Sequence, residues 1–159
     1  MTRLDDGFFM EAALAEAALA AEAGEVPVGA VAVDGDGNII ARGHNLVEKE
    51  KSVSRHAEFE VIRQIENLRQ DWRMTGITIY VTKEPCPMCA GMLVNSRISR
   101  IVYGLPDPAY GGCGGAIDIP GMPGALWHPE VTGNVKSDES KKLVQDFFRR
   151  RREAKTKNI

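Results

Sequence analysis

Two short segments constrain this chain more than anything else in it: His56-Ala57-Glu58 and Pro85-Cys86-Pro87-Met88-Cys89. Each opens a stretch with helical spacing, and each follows strand or loop sequence. A fold that uses both must therefore bring two helix starts to the same edge of a sheet. Cys86 and Cys89 are spaced to put both sulfurs on one helix face. The partial positive charge of a helix N-terminus favours the thiolate, which is the form that binds metal. Two thiolates and one neutral imidazole balance the charge of a zinc ion, and three protein ligands plus a water form the catalytic type of zinc site. These residues make His56, Cys86 and Cys89 the candidate ligands of one Zn2+. Glu58 would stand beside the water as a base that becomes an acid.

Other readings of the same residues exist. A C-x-x-C pair with proline between the cysteines can be a redox pair, but no thioredoxin-like strand–helix order precedes it here. A closed structural zinc site would need a fourth ligand, which Cys113, His44 or His128 could supply. His44 and His128 also read as ordinary strand or loop residues.

The 159 residues suit one domain, expected over 1–159, and suffice for a sizeable core without staples. No stretch reaches the roughly 18 apolar residues of a membrane span. Acidic residues interrupt the alanine-rich N-terminal stretch, unlike a secretory signal. Three cysteines argue against a disulfide framework, and a cytoplasmic protein is expected. The net charge of -2 gives no global attraction to nucleic acid. Arg149, Arg150, Arg151 and Arg152 nevertheless cluster near the C-terminus. They read equally as a phosphate-binding patch or as a solvated helix end whose cations suit the helix dipole.

Periodicity predicts a helix over Phe8–Ala23, with Asp5 or Asp6 as cap and Gly24 as stop. A hairpin follows, Val26–Asp34 and Ile39–Gly43 around Gly35-Asp36-Gly37-Asn38. After a polar loop, Leu46–Arg55, come a helix over His56–Gln70 and a strand over Ile77–Thr82. A helix over Pro85–Ser96 and a strand over Arg100–Tyr103 complete this alternation. The Gly- and Pro-rich segment 107–129 reads as a long irregular loop. Val131–Val135 reads as a short strand, and Ser137 as the cap of a last helix. The order implies an α/β fold with a mixed sheet covered by helices on both faces.

H-x-E followed by P-C-x-x-C is the signature of zinc deaminases. At these residues the chain resembles the tRNA-specific adenosine deaminase family, within the cytidine/deoxycytidylate deaminase superfamily. The resemblance runs over nearly the whole length. Val26-Pro27-Val28-Gly29-Ala30-Val31 is similar to the family's first strand, and Gly43-His44-Asn45 to the G-x-N that ends the second. Tyr80 through Gly91 resembles Y-V-T-x-E-P-C-x-M-C-A-G, and Asp146-Phe147-Phe148-Arg149 resembles D-F-F-R. Two segments depart from the bacterial form. Val53-Ser54-Arg55 replaces P-T-A, and Gly111-Gly112-Cys113-Gly114-Gly115 replaces G-A-A-G-S. Both look more like the catalytic subunit of the eukaryotic wobble-adenosine deaminase.

The resemblance implies a cytidine deaminase-like three-layer fold with a five-stranded sheet, assembled as a homodimer. It implies hydrolytic conversion of adenosine to inosine at the wobble position of tRNA. Glu58 would move the protons, Asn45 would hydrogen-bond the target nucleotide, and the backbone of Ala57 would contact the base. The tRNA anticodon loop is the implied partner, since its bases are already partly unstacked. A deaminase of a free nucleobase or nucleoside, of guanine or cytosine type, would share the metal site and differ in the pocket and in the 107–129 loop. A non-catalytic zinc module is a third reading, which the retained Glu58 disfavours.

Overall fold

The structure, a computed structural model, describes residues 5–157; residues 1–4 and 158–159, the two ends of the expected 1–159 domain, lie outside it. The first helix, α1 (Asp6–Glu22), starts two residues before the predicted one. Asp5 caps it by accepting a hydrogen bond from the Phe8 N–H at 3.1 Å. It buries Phe9, Met10, Ala13, Leu14, Ala17 and Ala20. The alanine-rich face lets α1 sit close to the sheet. At Gly29 a Cβ would lie 2.2 Å from the Ala13 carbonyl oxygen, so only glycine allows this approach.

The hairpin comprises β1 (Gly29–Val33) and β2 (Ile39–His44). Its turn is held by the Asp34 side chain, which accepts from the N–H groups of Asp36 and Asn38 at 3.0 and 2.9 Å. The first strand is shorter than the predicted Val26–Asp34. Val26 to Val28 instead bend over the sheet edge, where the Asn45 N–H donates to the Val28 carbonyl at 3.1 Å. The predicted polar loop contains a single helical turn, α2 (Val47–Glu50).

Next come α3 (Ala57–Arg69), β3 (Thr78–Lys83), α4 (Pro87–Asn95) and β4 (Arg100–Leu105). The fourth helix starts at Pro87, not at Pro85. Proline disfavours helical backbone in the residue before it and suits the first helical position. Cys86 is accordingly extended, with φ −68° and ψ 169°, and serves as N-cap. His56 likewise caps α3 from outside, with φ −75° and ψ 156°. The last strand, β5 (Glu130–Thr132), is shorter than predicted. In α5 (Ser137–Lys157), Ser137 is the first helical residue rather than the cap. Ser140 docks the helix by donating its hydroxyl to the Thr82 carbonyl at 2.5 Å.

The sheet order is β2-β1-β3-β4-β5, with β1 antiparallel to both neighbours and β3, β4 and β5 parallel. Alternate residues of the central strands feed two cores. Ala30, Ala32, Ile79, Val81 and Ile101 face α3 and α4, with Val61, Ile65, Ala90 and Leu93. Val31, Val33, Tyr80 and Val102 face α1 and the start of α5, with Phe9, Met10 and Leu143. This is the three-layer α/β arrangement expected of a cytidine deaminase-like fold. Among the described residues no helix is long and apolar enough to cross a membrane.

Candidate active site

The strand directions bring the start of β1 and the ends of β2, β3 and β4 to one edge of the sheet. The N-termini of α3 and α4 open at the same edge, so His56 and Cys86, the two cap residues, meet there. His56 Nδ1 lies 3.8 Å from Cys86 Sγ and 3.4 Å from Cys89 Sγ. The ligand atoms of His56, Cys86 and Cys89 all lie within 4.8 Å of one another, so these residues could hold one metal ion. The donor set fits zinc, which accepts sulfur and imidazole nitrogen at close quarters. Among the described residues this is the one such cluster. The other candidate ligands lie elsewhere. His44 pairs with Glu16 at 3.2 Å, the ring of His128 sits 2.7 Å from the Pro120 carbonyl, and Cys113, whose backbone forms an isolated bridge with Asp118, is not among the clustered ligand groups.

The electrostatics of the cluster follow from its packing. A hydrogen bond from Cys89 and another from His56 hold the Cys86 thiol down at about 4. Donating to Cys86 and being buried both push the Cys89 thiol up. His56 is raised by its bond to Cys86, against burial. Glu58, on the first turn of α3, is only 3% exposed. Burial pushes its carboxyl up to about 7, although its own N–H and His56 pull the other way.

A cavity of about 310 Å³ opens over these groups. Val26 and Val28 line it from the segment before β1, Asn45 from just past the end of β2, His56 from the cap of α3, and Ala57 and Glu58 from its first turn. Thus every sequence-predicted site residue except Cys89, which is fully buried behind Cys86, reaches this cavity. Asn45 Oδ1 is buried and has no hydrogen-bond partner. The sequence reading missed Glu25, Lys83, Glu84, Asp107 and Tyr110, which also line it. Glu84 stood inside a quoted motif without a role; Glu25 carried no signal at all. The arginine cluster divides. Arg151 reaches the cavity, and Arg150 and Arg151 line an adjoining groove with Asp146 and Phe147. Arg149 instead pairs with Asp146 at 3.2 Å and with Glu153 at 4.0 Å.

A His–Cys–Cys cluster at paired helix starts, with a buried carboxyl beside it and a base-sized cavity above, defines a hydrolytic deaminase of cytidine deaminase-like fold. The model of the MafB19-like deaminase family matches residues 4–152. The tRNA-specific adenosine deaminase of Bacillus subtilis is 44% identical over 151 residues, covering 94% of this chain and 92% of that one. Its counterpart in Agrobacterium fabrum is 41% identical over 145 residues, covering 91% and 94%. A solved tRNA:A34 deaminase superposes with a TM-score of 0.82 at 39% identity, covering 86% of this chain and 98% of that one. The chain belongs to the tRNA-specific adenosine deaminase family.

Proposed function

We propose that this chain converts adenosine to inosine at the wobble position of tRNA, as one catalytic domain with zinc held by His56, Cys86 and Cys89. One observation carries the reading: His56 and Cys86 of the ligand cluster and the buried Glu58 share a cavity with the apolar Val26 and Val28 and the hydrogen-bonding Asn45. Zinc at this site would supply the Lewis acidity that makes water a nucleophile near neutral pH. Glu58 takes one proton of the attacking water and passes it to a ring nitrogen. It then takes the proton left on the added hydroxyl and gives it to the amino group, which leaves as ammonia as the C–N bond breaks and the C=O bond forms. Burial raises the Glu58 carboxyl above the ordinary carboxylate range, which favours a group that gives a proton back as readily as it takes one.

Asn45 positions the nucleotide. Its unpartnered Oδ1 needs a donor, which the substrate supplies. Ala57 stands on the first turn of α3, where backbone N–H groups have no partner within the helix and can meet the base. Val26 and Val28 give the base an apolar wall. Arg150 and Arg151, in the groove that adjoins the cavity, contact the RNA backbone.

The relatives' substrate and the three unpaired thiols support a cytoplasmic enzyme. A second copy would cover the patch of Phe59, Trp72, Met88 and Met92 beside α3 and α4, giving a homodimer. An ammonia-release screen over free bases, nucleosides and tRNA transcripts tests the function. Inosine at position 34 of a transcript, with little turnover of free bases, is the expected result. Efficient turnover of a free base or nucleoside, with none on tRNA, would replace this reading by the small-molecule one.

A further inference from the structure

Two carboxylates that the chemistry does not use are almost completely buried beside the cavity: Glu25 at 1% exposure and Glu84 at 4%. Among the described residues neither pairs with a cation. Both are spent on backbone N–H groups of the segments that form the cavity's loop walls. Glu25 accepts from Glu48 N–H at 3.0 Å and from Lys49 N–H at 2.8 Å, which pins α2. Val47 and Glu48 of that turn line the cavity. Glu84 accepts from Asp107 N–H through one oxygen at 3.0 Å. Its other oxygen accepts from Cys113 N–H at 3.0 Å and from Gly115 N–H at 2.9 Å.

Gly111 and Gly115 are explained by this carboxylate, and Gly112 by the Cys86–Pro87 backbone that packs on it. A Cβ at Gly111 would lie 2.1 Å from Glu84 Oε2, and one at Gly115 would lie 2.8 Å from Oε1. Gly114, between the two donors, has φ +118°, which turns the flanking N–H groups of Cys113 and Gly115 toward one oxygen, while its own N–H donates to the Ile117 carbonyl at 2.9 Å. Gly-Gly-Cys-Gly-Gly is therefore a nest for the Glu84 side chain. The nest is tied to the ligand segment, because Gly112 N–H donates to the Pro85 carbonyl at 2.7 Å. From Glu84 the order passes outward. Asp107 accepts from the N–H groups of Ala109 and Tyr110 at 3.1 and 3.0 Å and pairs with Lys83 at 3.4 Å. This chain sets Tyr110, which is 65% exposed at the cavity mouth.

We infer that Glu84 and Glu25 are positioning residues that fix the two loop walls of the substrate cavity and thereby set substrate affinity, not the chemical step. The inference rests on the deaminase reading for its kinetic arm only. Glu84→Gln keeps the shape but turns an amide NH2 toward a backbone donor. Glu84→Asp keeps the charge but falls one carbon short of the nest. Glu25→Gln tests the opposite wall.

Each variant of the zinc-loaded protein is compared with wild type in three measurements. In amide hydrogen exchange, Glu84 variants should expose Asp107, Cys113 and Gly115 about tenfold faster, and Glu25→Gln should do so at Glu48 and Lys49. In steady-state deamination of a tRNA transcript, KM should rise about tenfold, with kcat within about threefold of wild type. Zinc per chain should stay at the wild-type value. Unchanged exchange, a fall in kcat at constant KM, or loss of zinc in parallel with activity would each overturn the inference. If wild type itself does not act on tRNA, the functional reading fails. The exchange arm then still decides whether these carboxylates hold the walls.

Discussion

On one side of the cavity, His56, Glu58, Cys86 and Cys89 ride at or just inside the first turns of α3 and α4. On the other side, Asp107 and Tyr110 ride on a loop with no regular secondary structure, and Glu48 on a helix of 4 residues. The inner wall is rigid because two helices packed on the sheet carry it, with Ala57, Val61, Ala90 and Leu93 in the core beneath. The outer wall has little apolar packing beneath it. It is held by buried carboxylates that satisfy backbone donors. Groups that must meet a reacting atom to within a fraction of an ångström are placed on helices; groups that select and admit a substrate are placed on loops. Variants should therefore separate into those that stop chemistry and those that weaken binding.

The largest effect is expected from Cys86→Ala. It would remove one of the three proposed ligands, so both bound zinc and deamination should fall to background while the chain remains folded. The fold should persist, since neither core is built from His56, Cys86 or Cys89. Metal analysis together with circular dichroism checks this, and full zinc occupancy in the variant would remove Cys86 from the ligand set. Glu58→Gln comes next. It leaves the cluster intact and removes the proton carrier, so kcat should drop by about 10³-fold or more with zinc content unchanged. Single-turnover assays distinguish this from slow product release, and turnover within about tenfold of wild type would end the proton-carrier role.

Asn45→Ala sits at the boundary between the two walls. Its Oδ1 is already unpartnered, so the free protein should lose little stability, and near-normal thermal unfolding is expected. Catalytic efficiency should fall by about 10- to 100-fold, the range of one lost hydrogen bond in a buried site. The converse pattern, lower stability with unchanged kcat/KM, would make Asn45 a structural residue of the β2 end.

The same division explains what was legible in the sequence. The inner wall was legible because zinc chemistry demands particular residue types at fixed spacing, and His56, Glu58, Cys86 and Cys89 satisfy it locally. The strand and helix order was legible because each element's apolar pattern has its own period. Element ends were less so. Pro85 and Pro87 both suit a helix start, and Pro87 decides it by holding Cys86 extended, a local effect that the helical spacing of the two cysteines masks. The outer wall was not legible because its determinants are distant in sequence from what they hold. Glu84 meets Gly115 across 31 residues, and Glu25 meets Glu48 across 23. A glycine run reads as a flexible loop when the side chain that fills it is out of view.

The smallest effect should come from the arginine cluster, and it sharpens the comparison most finely, because the four arginines differ in direction and not in kind. Arg151 reaches the cavity mouth, with its guanidinium 6.0 Å from the ring centre of Phe147, whereas Arg152 points to the far side of α5 with Glu153 and Thr156. If the outer wall grips RNA, Arg151→Ala should raise KM for tRNA about three- to tenfold without changing kcat. It should also reduce the salt dependence of binding by about 0.7 in the log–log slope, the share of one phosphate contact on a single strand. Arg152→Ala should change neither by as much. Equal effects of the two substitutions would mean that α5 acts only through its summed charge. The groove beside the cavity would then have no directed role in seating the substrate.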